Sequence, residues 1–371
     1  MGKVVELSIN RFSYADKIIL ENVNFTVEKG ETVVIAGLSG SGKTTLIRLL
    51  NGLIPQVYEG KLTGEIKILG KSTVEYKAGE LAKYIGNVFQ NPDDQFFSNE
   101  VENEIALVGE NTGLERSILL ERVNSAMEQL DIVSLKGRKL RELSGGQKQK
   151  VAIASTLVYD SDIIILDEPT ANLDFTSIED MRSVLKKLKE QGKTIIIAEH
   201  RLFYLKDIID RFILLKAGHL ENIFLPEDLN ENIRKENMLR CFDYSELTSE
   251  AAEAGEEVLV RVNDLSVKNK SYKLNDLAEF SLNRGECMAL IGENGIGKTT
   301  LAKELMGLLP IKRGEVSYAI SDRERLRYTA ASLQNCRNMF FYETVEKELI
   351  PRGKEVDREY LDKVKKYLIH L

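Results

Sequence analysis

The sequence predicts a duplicated α/β fold whose second copy is incomplete, on three observations. Two distant stretches repeat each other: Phe25-Thr-Val-Glu-Lys-Gly-Glu leads into a glycine-rich loop at Gly37, and Phe280-Ser-Leu-Asn-Arg-Gly-Glu leads into another at Gly292. Each copy opens with short β-branched runs that read as strands, then a compact apolar strand, the loop and a helix, the order in which an α/β domain begins. The uninterrupted apolar run at 163–166 has the length and composition of a buried strand, and Thr194 to Ala198 reads as another.

Taken in chain order, the first element with chemistry follows the apolar run 33–36. The pattern Gly37-x-x-x-x-Gly42-Lys43-Thr44 after a strand and before a helix is that of a phosphate-binding loop. Gly37, Gly40 and Gly42, with Ser39, Ser41 and Thr45 between and after them, let backbone N–H groups converge on phosphate oxygens, and the helix N-terminus adds positive potential. Lys43 would reach the β- and γ-phosphates and the Thr44 hydroxyl a Mg²⁺ ion, which makes ATP and Mg²⁺ the expected ligands. The run 163–166 ends in Asp167 and Glu168, at the carboxyl edge where a parallel sheet presents its ligands. Asp167 would hold Mg²⁺, and Glu168 would act as general base on the attacking water. His200, after the run 194–198, could hydrogen-bond the γ-phosphate and that water.

Composition narrows the setting. A formal charge of -7 argues against a broadly basic surface, so no nucleic acid is expected as partner. Cys241, Cys287 and Cys336 are widely spaced, form no metal-ligand pair and read as reduced thiols of a cytosolic protein. The N-terminus lacks the apolar core of a secretory signal, and the most apolar runs are far shorter than the roughly 20 residues a membrane-spanning helix needs.

Leu143-Ser144-Gly145-Gly146-Gln147, upstream of Glu168, resembles the signature motif of ABC ATPases, and the likeness extends over residues 1–220. Gln90 resembles the family's Q-loop glutamine, Ala171-Asn172-Leu173-Asp174 its D-loop, His200 its switch histidine and Tyr14 the aromatic that stacks on adenine. The resemblance implies a P-loop NTPase of ABC type, with an antiparallel β subdomain and an α-helical subdomain. It adds Gln90 to the catalytic and Mg²⁺-binding residues. It also implies that Ser144, Gly145, Gly146 and Gln147 cap the γ-phosphate held by an opposing ATPase domain, in cis or in trans. Asn91-Pro92-Asp93-Asp94-Gln95, directly after Gln90, is similar to a stretch in the ATPases of energy-coupling factor transporters, importers of vitamins and transition-metal ions. The expected partners are then a membrane scaffold and a small substrate-binding membrane subunit, reached from the cytoplasmic face as a peripheral protein.

The domain organisation read from this is a complete ATPase domain at 1–221, an acidic and polar linker at 222–257 and the front of a second domain at 258–371. That second copy supplies Gly292, Asn294, Gly295, Gly297, Lys298, Thr299 and Thr300 for phosphate, with Thr299 and Gln334 as metal ligands. It has no second signature, acidic strand or switch histidine, and Asn269 stands opposite Tyr14. The expectation is a fragment of a longer tandem ATPase. Two other functions fit the same residues: a soluble tandem ATPase of translation or nucleic-acid repair, and a nucleotide-binding remnant impaired in turnover.

Overall fold

In the computed structural model the described residues are 2–77, 79–240, 255–265, 278–311, 314–321, 329–332, 339–349, 359, 362–364 and 366. The chain divides into two compact units, one of Met1–Ala251 with Ile291–Ile296, the other of Ala252–Leu290 with Gly297–Leu371.

The first unit is built on two sheets. The long strands β1 (Lys3–Tyr14) and β2 (Lys17–Glu28) form an antiparallel hairpin. β3 (Thr32–Ala36) leads through the glycine-rich loop into α1 (Lys43–Leu50) and the short α2 (Leu53–Gln56). β4 (Lys61–Ile68) and β5 (Lys71–Ser72) then complete a four-stranded sheet of order β2-β1-β4-β5.

A helical segment follows β6 (Ile85–Val88): α3 (Val101–Asn111), α4 (Arg116–Gln129) and α5 (Gly145–Leu157). Next come β7 (Ile163–Asp167), α6 (Phe175–Glu190), β8 (Thr194–Ala198), β9 (Arg211–Lys216) and β10 (His219–Phe224). The second sheet has the order β10-β9-β3-β8-β7-β6, parallel from β9 to β6 with β10 antiparallel at the edge.

Alternation along each central strand builds two cores. Val33, Ile35, Ile163, Ile165 and Ile196 face α1 and the antiparallel sheet. Val34, Ala36, Ile164, Leu166, Ile195 and Ile197 face the helical layer, where Val151, Ile153 and Leu185 meet them. A strand apolar at every position is what a sheet covered on both sides requires. The stretch read as the start of the linker is built into this unit: β10 runs to Phe224, Leu229 is 6% exposed, and Asn230 caps α7 (Glu231–Glu236) by accepting from Ile233 N.

In the second unit β11 (Val258–Leu265), β12 (Ala278–Asn283) and β13 (Glu315–Tyr318) form a sheet of order β12-β11-β13, the counterpart of β2-β1-β4. α8 (Lys298–Leu305) follows the second glycine-rich loop. The apolar strand expected before that loop is not formed. Met288, Leu290 and Ile291 carry no strand structure, and Ile291 is 92% exposed. Its counterpart β3 is held by β8 on one side and β9 on the other; among the described residues no strand pairs with 288–291, and a lone extended segment has no ladder to stabilise it.

Candidate active site

The sheet order determines what meets what. The loops after β3, β8, β7 and β6 leave the same carboxyl edge of four neighbouring strands, which carries Lys43, His200, Asp167 with Glu168, and Gln90 to one place.

The glycine-rich loop wraps the Lys43 ammonium. Its Nζ donates to Gly37 O at 2.9 Å and Leu38 O at 3.0 Å, and the residue is 4% exposed. Burial pushes its pKa down, against the charges of Glu168, Asp167 and Glu199. Gly37 is required by close approach: a Cβ there would stand 2.2 Å from Leu215 O, at a φ of +151°. In the second loop Gly292, Gly295 and Gly297 repeat the positive φ values of Gly37, Gly40 and Gly42, and Lys298, Thr299 and Thr300 open α8 as Lys43, Thr44 and Thr45 open α1.

Two features suit this cradle to phosphate. The first turn of α1 contains no acid and has no side-chain cap, so its N–H groups are open to an anion. The Ser41 hydroxyl is buried without a protein partner, a polar atom that an incoming oxygen would satisfy. Ser39 and Gly40 lie at the exposed tip.

Asp167 ends β7 at 8% exposure, and Thr44 Oγ1 lies 3.4 Å from its Oδ1. Burial raises the Asp167 carboxyl above its usual range, partly opposed by the Thr44 contact. One buried carboxylate beside one hydroxyl is a hard oxygen set suited to a cation that keeps waters and takes phosphate oxygens, the Mg²⁺ pattern. Among the described residues no group of three or more His, Cys, Asp or Glu is placed to hold a metal ion.

Glu168 turns out of the strand with φ +44°, its N–H donating to Ala198 O at 2.8 Å. One carboxylate oxygen is 2.9 Å from His200 Nε2, and the other accepts from Gln90 Nε2 at 3.0 Å. The His200 hydrogen bond is the main reason its carboxyl is held below the usual range. A carboxylate offers about four lone-pair sites, so two remain for a water. The structure thus places Gln90 on Glu168 and Thr44 on Asp167.

Ser144 caps α5 in a reciprocal box: its hydroxyl accepts from Gln147 N at 3.3 Å and its own N–H donates to Gln147 Oε1 at 3.0 Å. Gly145 and Gly146 form the first turn. At Gly146 a Cβ would come 2.7 Å from Ser177 Oγ, so this glycine also permits the packing of α5 on α6. Tyr14, at the end of β1, stands edge-on to Phe12 with ring centroids 4.9 Å apart, and its hydroxyl is buried without a partner. Gln334, Asn269 and Cys336 fall outside the described residues.

A residue that the sequence reading misses holds the segment after Gln90. Glu104, 4% exposed in α3, accepts from Phe97 N at 2.9 Å and Ser98 N at 2.7 Å. In the second copy Glu348 accepts from Phe341 N and Tyr342 N, both at 2.9 Å. The signal is present as Phe-Phe-x-x-x-Val-Glu-x-Glu, shared by 96–104 and 340–348. Glu104→Ala strands two backbone donors and is expected to cost about 1–3 kcal/mol for each. A fall in the thermal midpoint of the full chain, with Glu104→Gln falling less, checks it.

A family model described as ABC transporter matches residues 20–171 and 275–370. An ABC transporter ATP-binding protein of Treponema denticola is 39% identical over 357 residues, covering 92% of this chain and 73% of that protein. A second from the same organism is 37% identical over 306 residues, and there the chain spans 62% of its relative's length. Among solved structures, cbiO1 of Clostridium perfringens, described as part of the ABC transporter complex cbiONQ, superposes with a TM-score of 0.56 at 31% identity, covering 64% of this chain and 95% of cbiO1.

Proposed function

Because this chain belongs to the ABC transporter family of ATP-binding proteins, we propose that it hydrolyses ATP to energise a membrane transporter, one of the energy-coupling factor type that imports a vitamin or metal ion. The observation that carries the hydrolytic reading is Glu168 held between His200 and Gln90, with Lys43 in the loop one strand beyond His200.

In this reading Tyr14 packs on adenine, and the loop from Gly37 to Thr45 binds the phosphates through backbone N–H groups, Ser41 and Lys43. Thr44, Asp167 and Gln90 would hold Mg²⁺, which would neutralise phosphate charge. Glu168 accepts a proton from water as the water oxygen bonds to the γ-phosphorus and the bond to the bridging oxygen breaks, leaving ADP and phosphate. His200 positions Glu168 and the water. Ser144, Gly145, Gly146 and Gln147 serve the nucleotide of an opposing domain, and the loop from Gly292 to Thr300, with Gln334, forms a second nucleotide site. The division into a complete ATPase domain, a linker and the front of a second domain from 258 belongs to the same proposal, with β10 and α7 counted to the first domain, as does a peripheral position on the cytoplasmic face.

The importer reading is supported by two things: the likeness to cbiO1 and the surface beside Gln90. The Asn91 to Gln95 stretch forms a 3₁₀ turn held by Gln95 Oε1, which accepts from Phe89 N at 2.8 Å, and by the Lys148 to Asp93 ion pair at 2.6 Å. Next to it lies a groove of about 400 Å³ lined by Ile85, Gly86, Gln95, Phe97 and Leu107, with Phe97 85% exposed. In this reading the membrane subunits dock at this groove; no helix among the described residues is long and apolar enough to cross a membrane. A photo-crosslinking amino acid at position 97 is expected to capture an integral membrane protein in native membranes. Crosslinks to ribosomal proteins instead would overturn the transport reading.

A further inference from the structure

The two residues that flank His200 have buried polar partners that the hydrolytic scheme does not use. Glu199 is 2% exposed. Its Oε1 accepts from the backbone N–H of His200 at 2.8 Å and of Arg201 at 3.0 Å. Its Oε2 accepts from the hydroxyls of Thr170 and Tyr204, each at 2.9 Å. Tyr204 is fully buried, and burial pushes its hydroxyl well above the ordinary range, so it remains a donor. Arg201 spreads its guanidinium over the same turn from the other side: Nη1 donates to Thr170 O at 3.0 Å and Leu173 O at 3.3 Å, and Nη2 to Ala171 O at 3.5 Å.

A buried carboxylate is expensive to desolvate, and apolar residues of similar volume often do as well or better for stability. Fully satisfied polar networks instead make one geometry rigid. Here the carboxylate grips the backbone that carries His200 together with the side chain that opens the turn 170–173, and the guanidinium grips that turn's carbonyls. The turn itself starts from Glu168, whose carbonyl accepts from Ala171 N at 3.1 Å. The loop bearing Glu168 and the loop bearing His200 are thus joined twice, at the side-chain contact of 2.9 Å and through this second set of bonds behind it.

We propose that Glu199 and Arg201 are positioning residues that make His200 and the turn 170–173 move as one rigid piece, so that the contact between His200 and Glu168 depends on where that turn is held. The mechanical coupling stands on the bonds themselves; its consequence for turnover rests on the hydrolytic reading above.

Two measurements on the full chain test it. Hydrogen exchange is followed in peptides covering 168–175 and 198–204. Thr170→Val is expected to speed exchange of the His200 and Arg201 amides about tenfold, the factor for losing roughly 1.4 kcal/mol of hydrogen bonding. Arg201→Lys, which keeps the charge and loses the fork, does the same to the amides of Ala171 and Leu173. Changes confined to the substituted peptide, or spread equally into α4, overturn the proposal.

In steady-state hydrolysis, Arg201→Lys lowers kcat about tenfold with the ATP dissociation constant within about twofold, and costs nothing further in a His200→Ala background. Additive losses, or a loss in affinity alone, overturn the role in catalysis. Glu168→Gln is measured alongside. If it leaves turnover unchanged, the hydrolytic reading fails while the exchange result still decides the coupling.

Discussion

Replacing Glu168 with glutamine lowers the rate of phosphate release by about 10²–10⁴-fold, the range for loss of a general base, while ATP binding survives. The geometry sets both halves of that expectation. The His200 hydrogen bond holds the Glu168 carboxyl below the usual carboxylate range, so the wild-type group is ionised and able to take a proton. Glutamine keeps the volume and one acceptor but cannot take one. Binding survives because the phosphate cradle, Lys43 and the first turn of α1, belongs to a different strand and loop. Single-turnover release of labelled phosphate, with nucleotide affinity measured beside it, separates the outcomes. A glutamine variant that turns over at the wild-type rate removes Glu168 from the role of base.

Lys43→Ala acts one step earlier, on binding. The ammonium is the loop's own cation, gripped by two carbonyls at 2.9 and 3.0 Å and almost fully buried. Alanine leaves both carbonyls without that donor and removes the positive charge that would meet the β- and γ-phosphates. A charge-assisted hydrogen bond is worth roughly 1.5–3 kcal/mol, so ATP affinity is expected to fall about 10–100-fold and hydrolysis at sub-saturating ATP with it. Lys43→Arg does not restore it, since a planar fork cannot replace a compact ammonium inside this loop. Titration with a fluorescent ATP analogue reads the affinity directly, and unchanged binding would remove Lys43 from the site.

Part of the first copy's candidate site is legible in the amino-acid sequence as local signals, whereas Gln90, Tyr14 and the stretch 144–147 are read there through a family resemblance. β3, β7 and β8 each carry an unbroken apolar run, 33–36, 163–166 and 195–198, as strands covered on both faces do, and their ends are marked by Gly37, by Asp167 with Glu168, and by His200. β6 is harder to see: four residues, one of them Gly86, become a strand only because β7 lies beside them. The mirror case is 288–291, which is as apolar as β3 and forms no strand, since hydrogen-bonding neighbours and not composition complete a parallel ladder.

By itself the sequence determined the α/β class, the phosphate loop with its Lys43 and Thr44, the acidic pair at 167 and 168, and the internal repeat, since these are chemistry carried by residues adjacent in the chain. Tertiary structure alone decided which partners those groups take. Glu168 lies between His200 and Gln90 because the sheet order brings three strands' ends together. Glu104 finds the N–H groups of Phe97 and Ser98, and Glu199 and Arg201 close on the turn 170–173. The physical reason is that a motif is a local arrangement of donors and acceptors, whereas a buried polar group is satisfied by whatever residue the fold places within about 3 Å of it.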